Sequence, residues 1–269
     1  MKEIVVPFLK WAGGKRWLAS SHRELFSECS GRHIEPFAGS AAVFFATQPD
    51  KAILADMNSR LIEAYIAIRD TPVEFESYFH EFARKHSKDH YYAVRSKKFR
   101  VEAKRAAQFV YLNRVCFNGI YRENLRGEFN VPIGSKQTAV LDTDDFAKIS
   151  RCLRNAELRC SDFEPIIDDA VRGDFVYVDP PYTTKHNLNG FVKYNQKIFS
   201  WEDQVRLSKV LKSAAKRGVT ILVSNADHAE VRDLYRDFLE IKSVERSNVI
   251  ASRSCHRGKT TEMVAGNDL

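Results

Sequence analysis

The feature that most restricts the fold is an apolar run, Asp174-Phe175-Val176-Tyr177-Val178, that stops at Asp179-Pro180-Pro181-Tyr182. Such a run reads as a strand covered on both faces, as in a parallel sheet flanked by helices. Neither proline offers a backbone N–H, so the ladder cannot continue through them. Ser200 with Asp203 three residues on has the spacing of a capping box, and Leu207, Val210, Leu211, Ala214 and Ala215 then recur at helical spacing. Gly218 is placed to end that helix, and Val219 to Val223 is the next strand. Strand, helix, strand in this order is a parallel βαβ unit, and ligands of such sheets sit beyond the carboxyl ends of the strands.

A second unit of the same kind lies upstream. His33 to Phe37 reads as a strand, Ala38-Gly39-Ser40 as a turn, Ala41 to Thr47 as a helix and Lys51 to Asp56 as a strand. Residues 59–113 between the two are helical in pattern and rich in aromatic and basic side chains. Asn118-Gly119 and Arg126-Gly127 then frame an expected β-hairpin within residues 114–134. The fold class expected is therefore α/β, one sheet carrying an insertion over residues 59–140.

Lysine and arginine exceed aspartate and glutamate by 42 − 35 = 7, which favours a polyanionic partner, nucleic acid first and an anionic membrane second. The five cysteines, at 29, 116, 152, 160 and 255, are odd in number and lack zinc-ligand spacing, so a reducing cytosol is expected. Residues 1–11 do not read as a secretory signal, and no run approaches the roughly 20 apolar residues of a membrane span. Nothing in the sequence marks an obligate protein partner. The solitary histidines 186, 228 and 256 form no recognisable acid–base pair.

Four segments carry chemistry. In Asp179-Pro180-Pro181-Tyr182, a carboxylate and a proline carbonyl could both accept from an aromatic amino group, and Tyr182 offers a face for stacking a base. Such acceptors would hold the nitrogen toward tetrahedral geometry and localise its lone pair. The alternative is a strand that merely ends in a rigid turn. Glu35-Pro36-Phe37-Ala38-Gly39-Ser40-Ala41 could be a cofactor loop or an ordinary βα turn. Asp56, about 20 residues past the first turn, could bind ribose hydroxyls, or Asp56 or Asn58 could simply cap the helix beginning near Ser59. Near the N-terminus, Gly13-Gly14 permits unusual backbone angles, Lys15 can pair with a carboxylate, and Trp11 can lie against a sulfonium. No P-loop is present.

These segments, in this order, resemble the Dam-type (alpha class, D12) DNA adenine-N6 methyltransferases. The resemblance runs through FLKWAGGKR, EPFAGSAAVFF, ILADMN, LNRVCFNGIYRENLRGEFNVPIG and VYVDPPY, from residue 8 to about 225. It implies a Rossmann-like methyltransferase sheet with an inserted helical plus β-hairpin target-recognition subdomain. Residues 1–58 and 141–269 would form the catalytic domain and 59–140 the recognition subdomain. Trp11, Lys15, Glu35, Phe37, Gly39, Asp56, Asp162, Phe163 and Asp179 would bind S-adenosylmethionine, with Asp179, Pro180, Pro181 and Tyr182 at the target base. Two departures stand out: Ala41 replaces a second glycine, and Gly266-Asn267-Asp268 replaces an asparagine–aromatic pair near the end.

The implied substrate is double-stranded DNA at a GATC or GATC-like site, with the target adenine flipped out of the duplex. Arg114, Phe117, Asn118, Tyr121, Arg122 and Arg126 are the expected DNA contacts, with Arg122 the candidate for reading a guanine. Lys97, Lys98, Arg100, Lys104 and Arg105 could contact phosphate or form a solvated helix face. Cytosine-N4 methylation, or a catalytically silent DNA-binding relative, are the competing readings.

Overall fold

The computed structural model describes residues 5–26, 29–124, 126–183, 199–247 and 259–269; His186 and the segment around Cys255 and His256 lie outside these. The chain is a mixed α/β protein with a seven-stranded, mostly parallel sheet, as the alternation of strand and helix patterns requires. Its residues gather into two units, 1–23 with 38–160 and 24–37 with 161–269.

In the first unit, β2 (Ala52–Asp56) pairs in parallel with β3 (Ala156–Cys160), in the register Ala52↔Ala156 to Asp56↔Cys160. Short helices α1 (Arg16–Ser21) and α2 (Ala42–Thr47) accompany a helical layer of α3 (Ser59–Asp70), α4 (Pro72–Arg84), α5 (Lys88–Ser96), α6 (Glu102–Val115) and α7 (Phe146–Leu153). The helices from Ser59 onward thus belong to the same unit as β2 and β3, whereas the sequence pattern suggested a boundary at 58/59. Buried aromatic rings dominate the core, among them Phe8, Phe45, Tyr65, Phe75, Phe79, Tyr91, Tyr111 and Phe146.

α6 is covered on every side, Ala106 through Val115 being buried without a break. A helix in that position must satisfy its polar side chains internally. Gln108 does so by donating to the Val94 and Lys97 carbonyls at the end of α5. Asn113 accepts from the Lys10 N–H (2.9 Å) and donates to the Lys10 carbonyl (2.8 Å), pairing with the N-terminal segment as a strand would. Arg114 donates from Nε to the Phe8 carbonyl at 2.9 Å. The core helix therefore fastens the loop that carries Trp11.

Past α6 the chain makes a single 3-10 turn, Phe117–Gly119, with Asn118 at φ 55°. The expected hairpin exists, but as isolated antiparallel bridges, Cys116↔Ile133 and Glu123↔Phe129, rather than extended strands. Its tip is held by Asn124 N–H to the Glu128 carbonyl (2.9 Å) and Gly127 N–H to the Asn124 carbonyl (3.0 Å), with Gly127 at φ 71°. Only the second of the two glycine turns is a hairpin turn.

In the second unit, β1 (His33–Glu35), β4 (Phe175–Val178) and β5 (Thr220–Ala226) are parallel neighbours, with His33↔Phe175 and Phe175↔Thr220 in register. β7 (Lys259–Gly266) runs antiparallel to both β5 and β6 (Glu240–Ser247). Gly266 permits this close pairing, since a Cβ there would lie 2.9 Å from the Ile221 carbonyl oxygen. Asn267 then accepts from the Ile221 N–H and donates to the Val219 carbonyl, both at 2.8 Å, so the unusual Gly266-Asn267 pair closes the strand.

α8 (Phe163–Asp168), α9 (Trp201–Lys216) and α10 (Ala229–Tyr235) complete this unit. The capping box of α9 is formed, Ser200 Oγ accepting from the Asp203 N–H (3.1 Å) and Asp203 from the Ser200 N–H (2.9 Å). The starts of β1 and β4 are tied by Asp174, which accepts from the Arg32 N–H at 2.7 Å and from the Arg32 guanidinium at 2.6 Å. Among the described residues no helix is long and apolar enough to cross a membrane.

Candidate active site

In the first unit, four expected cofactor residues converge. Gly14 N–H returns to the Trp11 carbonyl at 3.1 Å, closing a turn in which Gly13 takes φ 78°. Lys15 is buried at 2 % exposure and donates to the Gly13 carbonyl at 2.7 Å, so its ammonium is held inside this turn. Gly39 lies at φ 47°, and a Cβ there would fall 2.8 Å from Trp11 Cδ1. Glycine is thus required twice over, by backbone angle and by the indole pressed against it.

Asp56, at the tip of β2, accepts from the Gly39 N–H (3.1 Å) and from the Asn58 N–H (2.9 Å). Asn58 takes the capping role, its side chain accepting from the Arg60 and Leu61 N–H groups of α3 at 3.1 Å. The two readings of this segment are thereby separated: Asn58 caps, and Asp56 braces the Gly39 turn. Desolvation raises the Asp56 pKa, opposed in part by those two backbone N–H groups. Tyr65 donates to the Gly39 carbonyl at 2.9 Å and steadies the turn from below. Ala41, where a glycine was the expectation from the resemblance, occupies the left-handed region at φ 48° as N-cap of α2.

In the second unit, Asp179 follows β4 directly, and its Oδ1 accepts from Ser224 Oγ of β5 at 3.0 Å. Tyr177 Oη lies 2.9 Å from the same Ser224 hydroxyl. Tyr182 donates to Glu262 on β7 at 2.9 Å, and Arg246 of β6 contacts the other oxygen of Glu262 at 3.1 Å. The Pro181 carbonyl faces Thr183 Oγ1 and Gln204 Nε2, at 3.4 and 3.5 Å. Burial, together with the Asp179 and Glu262 charges, pushes the Tyr182 hydroxyl well above its ordinary pKa, so it stays protonated.

The other expected cofactor residues of this unit divide into two groups. Phe37 stacks on Phe163, with centroids 5.4 Å apart, and meets the edge of Phe199, giving an aromatic cluster of which Phe37 is the more exposed member. Glu35 and Asp162 are committed within the protein. Glu35 is buried against His33 Nε2 at 2.8 Å. Asp162 caps α8 through the Glu164 N–H and is paired with Arg206, whose guanidinium holds its carboxyl below the usual range and lies 4.1 Å over Phe163.

Of the expected DNA contacts, Phe117, Asn118, Arg122 and Arg126 are exposed around the 3-10 turn and hairpin. Arg122 is steered by a 2.8 Å bond from its Nε to Asn130 Oδ1. Tyr121 is half-buried, packed among Phe109, Phe129 and Trp11 and bonded to Glu123. Arg114 is a correction. It is 1 % exposed, with its guanidinium on both oxygens of Asp144 (2.5 and 2.6 Å) and on the Ala139 carbonyl (3.0 Å), so it cannot meet DNA in this arrangement.

The basic run on the helices divides as well. Lys104 is paired with Glu81 over the rings of Tyr78 and Phe99, and Arg105 with Glu63. Lys97, Lys98 and Arg100 remain exposed. Sequence reasoning missed Tyr177, Ser224 and Glu262. The period of two along β4 places Tyr177 and Asp179 on one face, and that signal was available.

Comparison with known proteins shows the family of the chain. Residues 11–250 match the family model for D12 class N6 adenine-specific DNA methyltransferases. The chain is 37% identical to a type II methyltransferase of Lactococcus lactis subsp. cremoris, over 97% of this chain and 95% of that one. It is 35% identical to a type II methyltransferase of Methanocaldococcus jannaschii, covering 91% and 93% of the two chains. With the DNA adenine methylase of Escherichia coli K12 the identity is 33%, over 96% and 94%. The chain belongs to the D12 class of N6 adenine-specific DNA methyltransferases.

Proposed function

We propose that this enzyme methylates adenine N6 within a GATC or GATC-like site of double-stranded DNA, and that the residues described above divide the work as follows. S-adenosylmethionine is the methyl donor of this class, and when bound it supplies a methyl group already activated on a sulfonium. The first unit has the chemistry to hold it. Asp56 is an acceptor for hydroxyls, Lys15 a buried cation for a carboxylate, and Trp11 an aromatic face for a cation. Gly39 shapes this cradle, since any side chain there would displace Trp11. In the second unit, the stacked rings of Phe37 and Phe163 offer apolar surface of the kind a purine takes.

The observation that carries the reading is the Asp179-Pro180-Pro181-Tyr182 turn, braced by Ser224 at one end and Glu262 at the other. Its work is orientation. Asp179 and the Pro180 carbonyl accept from the two amino hydrogens, directing the nitrogen lone pair outward. With the donor bound, N6 would form its new bond to the methyl carbon as the carbon–sulfur bond breaks, the electron pair leaving on sulfur and the surplus N6 proton passing to solvent. Tyr182 stacks on the extruded base and offsets part of the few kcal/mol that flipping costs. Glu262 fixes the tilt of that ring.

Recognition is assigned to residues 117–130. Phe117, 53 % exposed, and Asn118 stand where the duplex opens, and Arg122 is the reader of a guanine edge, worth about 1–3 kcal/mol. Arg126, Lys97, Lys98 and Arg100 add salt-dependent affinity through phosphates. The test is methyl transfer from labelled cofactor to plasmid DNA, with modified adenines mapped by sequence. Wild type should label adenine at one short motif, Asp179→Ala should label none, and Arg122→Ala should relax one guanine of the motif. Label outside GATC-like sites would overturn the assigned site, and near-normal turnover by Asp179→Ala would overturn the mechanism.

A further inference from the structure

Tyr177 and Asp179 are two residues apart on and just past β4, so their side chains leave the same face of the strand. β5 runs parallel beside it with Val178 opposite Val223, which brings Ser224 level with Asp179. Ser224 is fully buried, and its Oγ lies 3.0 Å from Asp179 Oδ1 and 2.9 Å from Tyr177 Oη. A serine hydroxyl carries one hydrogen. The carboxylate can only accept, so that hydrogen goes to Asp179 and the bond from Tyr177 must run from its phenol to Ser224. The direction of the chain is therefore determined: Tyr177 to Ser224 to Asp179.

We infer that Ser224 is a positioning residue for Asp179, and that Tyr177 acts through it to set the carboxylate plane for the target amino group. Each donor in the series points toward the carboxylate, so each polarises the next and favours the anion. The arrangement holds a charge in place. Burial raises the Tyr177 hydroxyl well above its ordinary pKa, in keeping with its role as the terminal donor. Rotation of a carboxylate about its last side-chain bond is intrinsically broad, and the Ser224 bond helps to narrow it. This inference rests on the reading of Asp179 as an acceptor for the amino group.

The experiment is steady-state methylation of plasmid DNA by the full chain, with cofactor affinity measured separately, for Ser224→Ala, Tyr177→Phe, the double variant and Ser224→Thr. Losing a hydrogen bond to a charged group should lower kcat roughly 10- to 100-fold in Ser224→Ala, with KM for DNA and cofactor Kd within about twofold of wild type. Tyr177→Phe should lower kcat about 3- to 10-fold. Because the two act in series, the double variant should be no slower than Ser224→Ala, whereas independent packing effects would multiply. Ser224→Thr, which keeps the hydroxyl, should recover most of the rate.

An unchanged kcat in Ser224→Ala, multiplied losses in the double variant, or a loss that falls equally on KM and Kd would overturn the inference. Where Ser224→Ala does not fold, Tyr177→Phe decides, since it removes one oxygen only; wild-type kcat in that variant overturns the proposal. The underlying reading is tested apart from this. If wild type transfers no methyl to adenine, or Asp179→Ala keeps turnover, that reading fails and the inference with it; failure confined to the Ser224 and Tyr177 variants overturns the inference alone.

Discussion

Trp11 and Tyr121 lie nearly parallel, with ring centroids 6.1 Å apart and planes inclined by 19°. One ring belongs to the N-terminal turn assigned to the cofactor and the other to the hairpin segment assigned to DNA. A stacked pair of this kind contributes about 0.5–1.5 kcal/mol beyond its buried area. Tyr121→Ala should therefore weaken cofactor binding about 2- to 10-fold even without DNA, because Trp11 loses the surface that fixes its rotamer. Tyr121→Phe should bind normally. Titration of indole fluorescence with the cofactor is the measurement; equal affinities for Ala and wild type would disconnect the two rings.

Arg114 should behave as a core residue. Removing one partner of a buried ion pair typically costs about 3–5 kcal/mol, because the other charge is left stranded. Arg114→Ala should lower the thermal midpoint sharply, while the folded fraction keeps the wild-type sequence preference. Arg122→Ala should do the reverse, melting normally and discriminating poorly. Comparing melts and methylation maps of the two variants separates the roles, and a stable Arg114→Ala with altered site preference would contradict the placement.

If Asp56 binds the cofactor as proposed, that binding should have an acid limb. Its carboxyl pKa is raised by desolvation above the ordinary aspartate value of 3.8, so in the free protein it takes up its proton at a higher pH than an exposed aspartate would. Hydroxyls bound to the anion favour the deprotonated form. Affinity should then fall as pH drops through the raised pKa, beginning while exposed aspartates are still ionised. Calorimetry between neutral pH and about pH 4.5 measures this, with Asp56→Asn as the weak, pH-flat reference. A flat wild-type profile would show that Asp56 does not meet the cofactor as an anion.

Asp174 contributes to acid stability in the opposite sense. Burial opposes its ionisation, but the Arg32 guanidinium and the Val171 and Arg32 N–H groups outweigh that and hold its pKa below 3.8. A carboxyl whose folded pKa is depressed stabilises the fold above its unfolded pKa, and that contribution is lost as pH falls through the folded value. Asp174→Asn should lower stability at neutral pH, with a smaller further decline below about pH 4 than wild type shows. Denaturant midpoints at pH 7 and pH 3 test it; parallel declines in both proteins would assign the acid sensitivity elsewhere.

Much of this site could be read in the sequence because its strongest signals are local. Two prolines after an apolar run must end a strand, Ser200 with Asp203 must cap a helix, and an aspartate one helix past a glycine turn falls at the next strand's tip. Arg114 was misread because its burial depends on Asp144, 30 residues away, and on α6 being covered all round. Charge type and helix position alone do not report either. Glu262 was missed for a related reason: its meeting with Tyr182 follows from β7 pairing with β5, and a strand's neighbours are set by the whole sheet. The hairpin was legible as well, although its pairing takes the form of the isolated bridges Cys116↔Ile133 and Glu123↔Phe129, with its turn at Arg126-Gly127.

The position of β7 has a consequence for synthesis. It lies between β5 and β6 yet follows both in the chain, so a growing polypeptide must leave that slot open until Lys259–Gly266 emerges. Until then Tyr182 lacks the carboxylate that orients it. A chain that stops before Lys259 would therefore lack both the Glu262 brace on Tyr182 and the strand that joins β5 to β6.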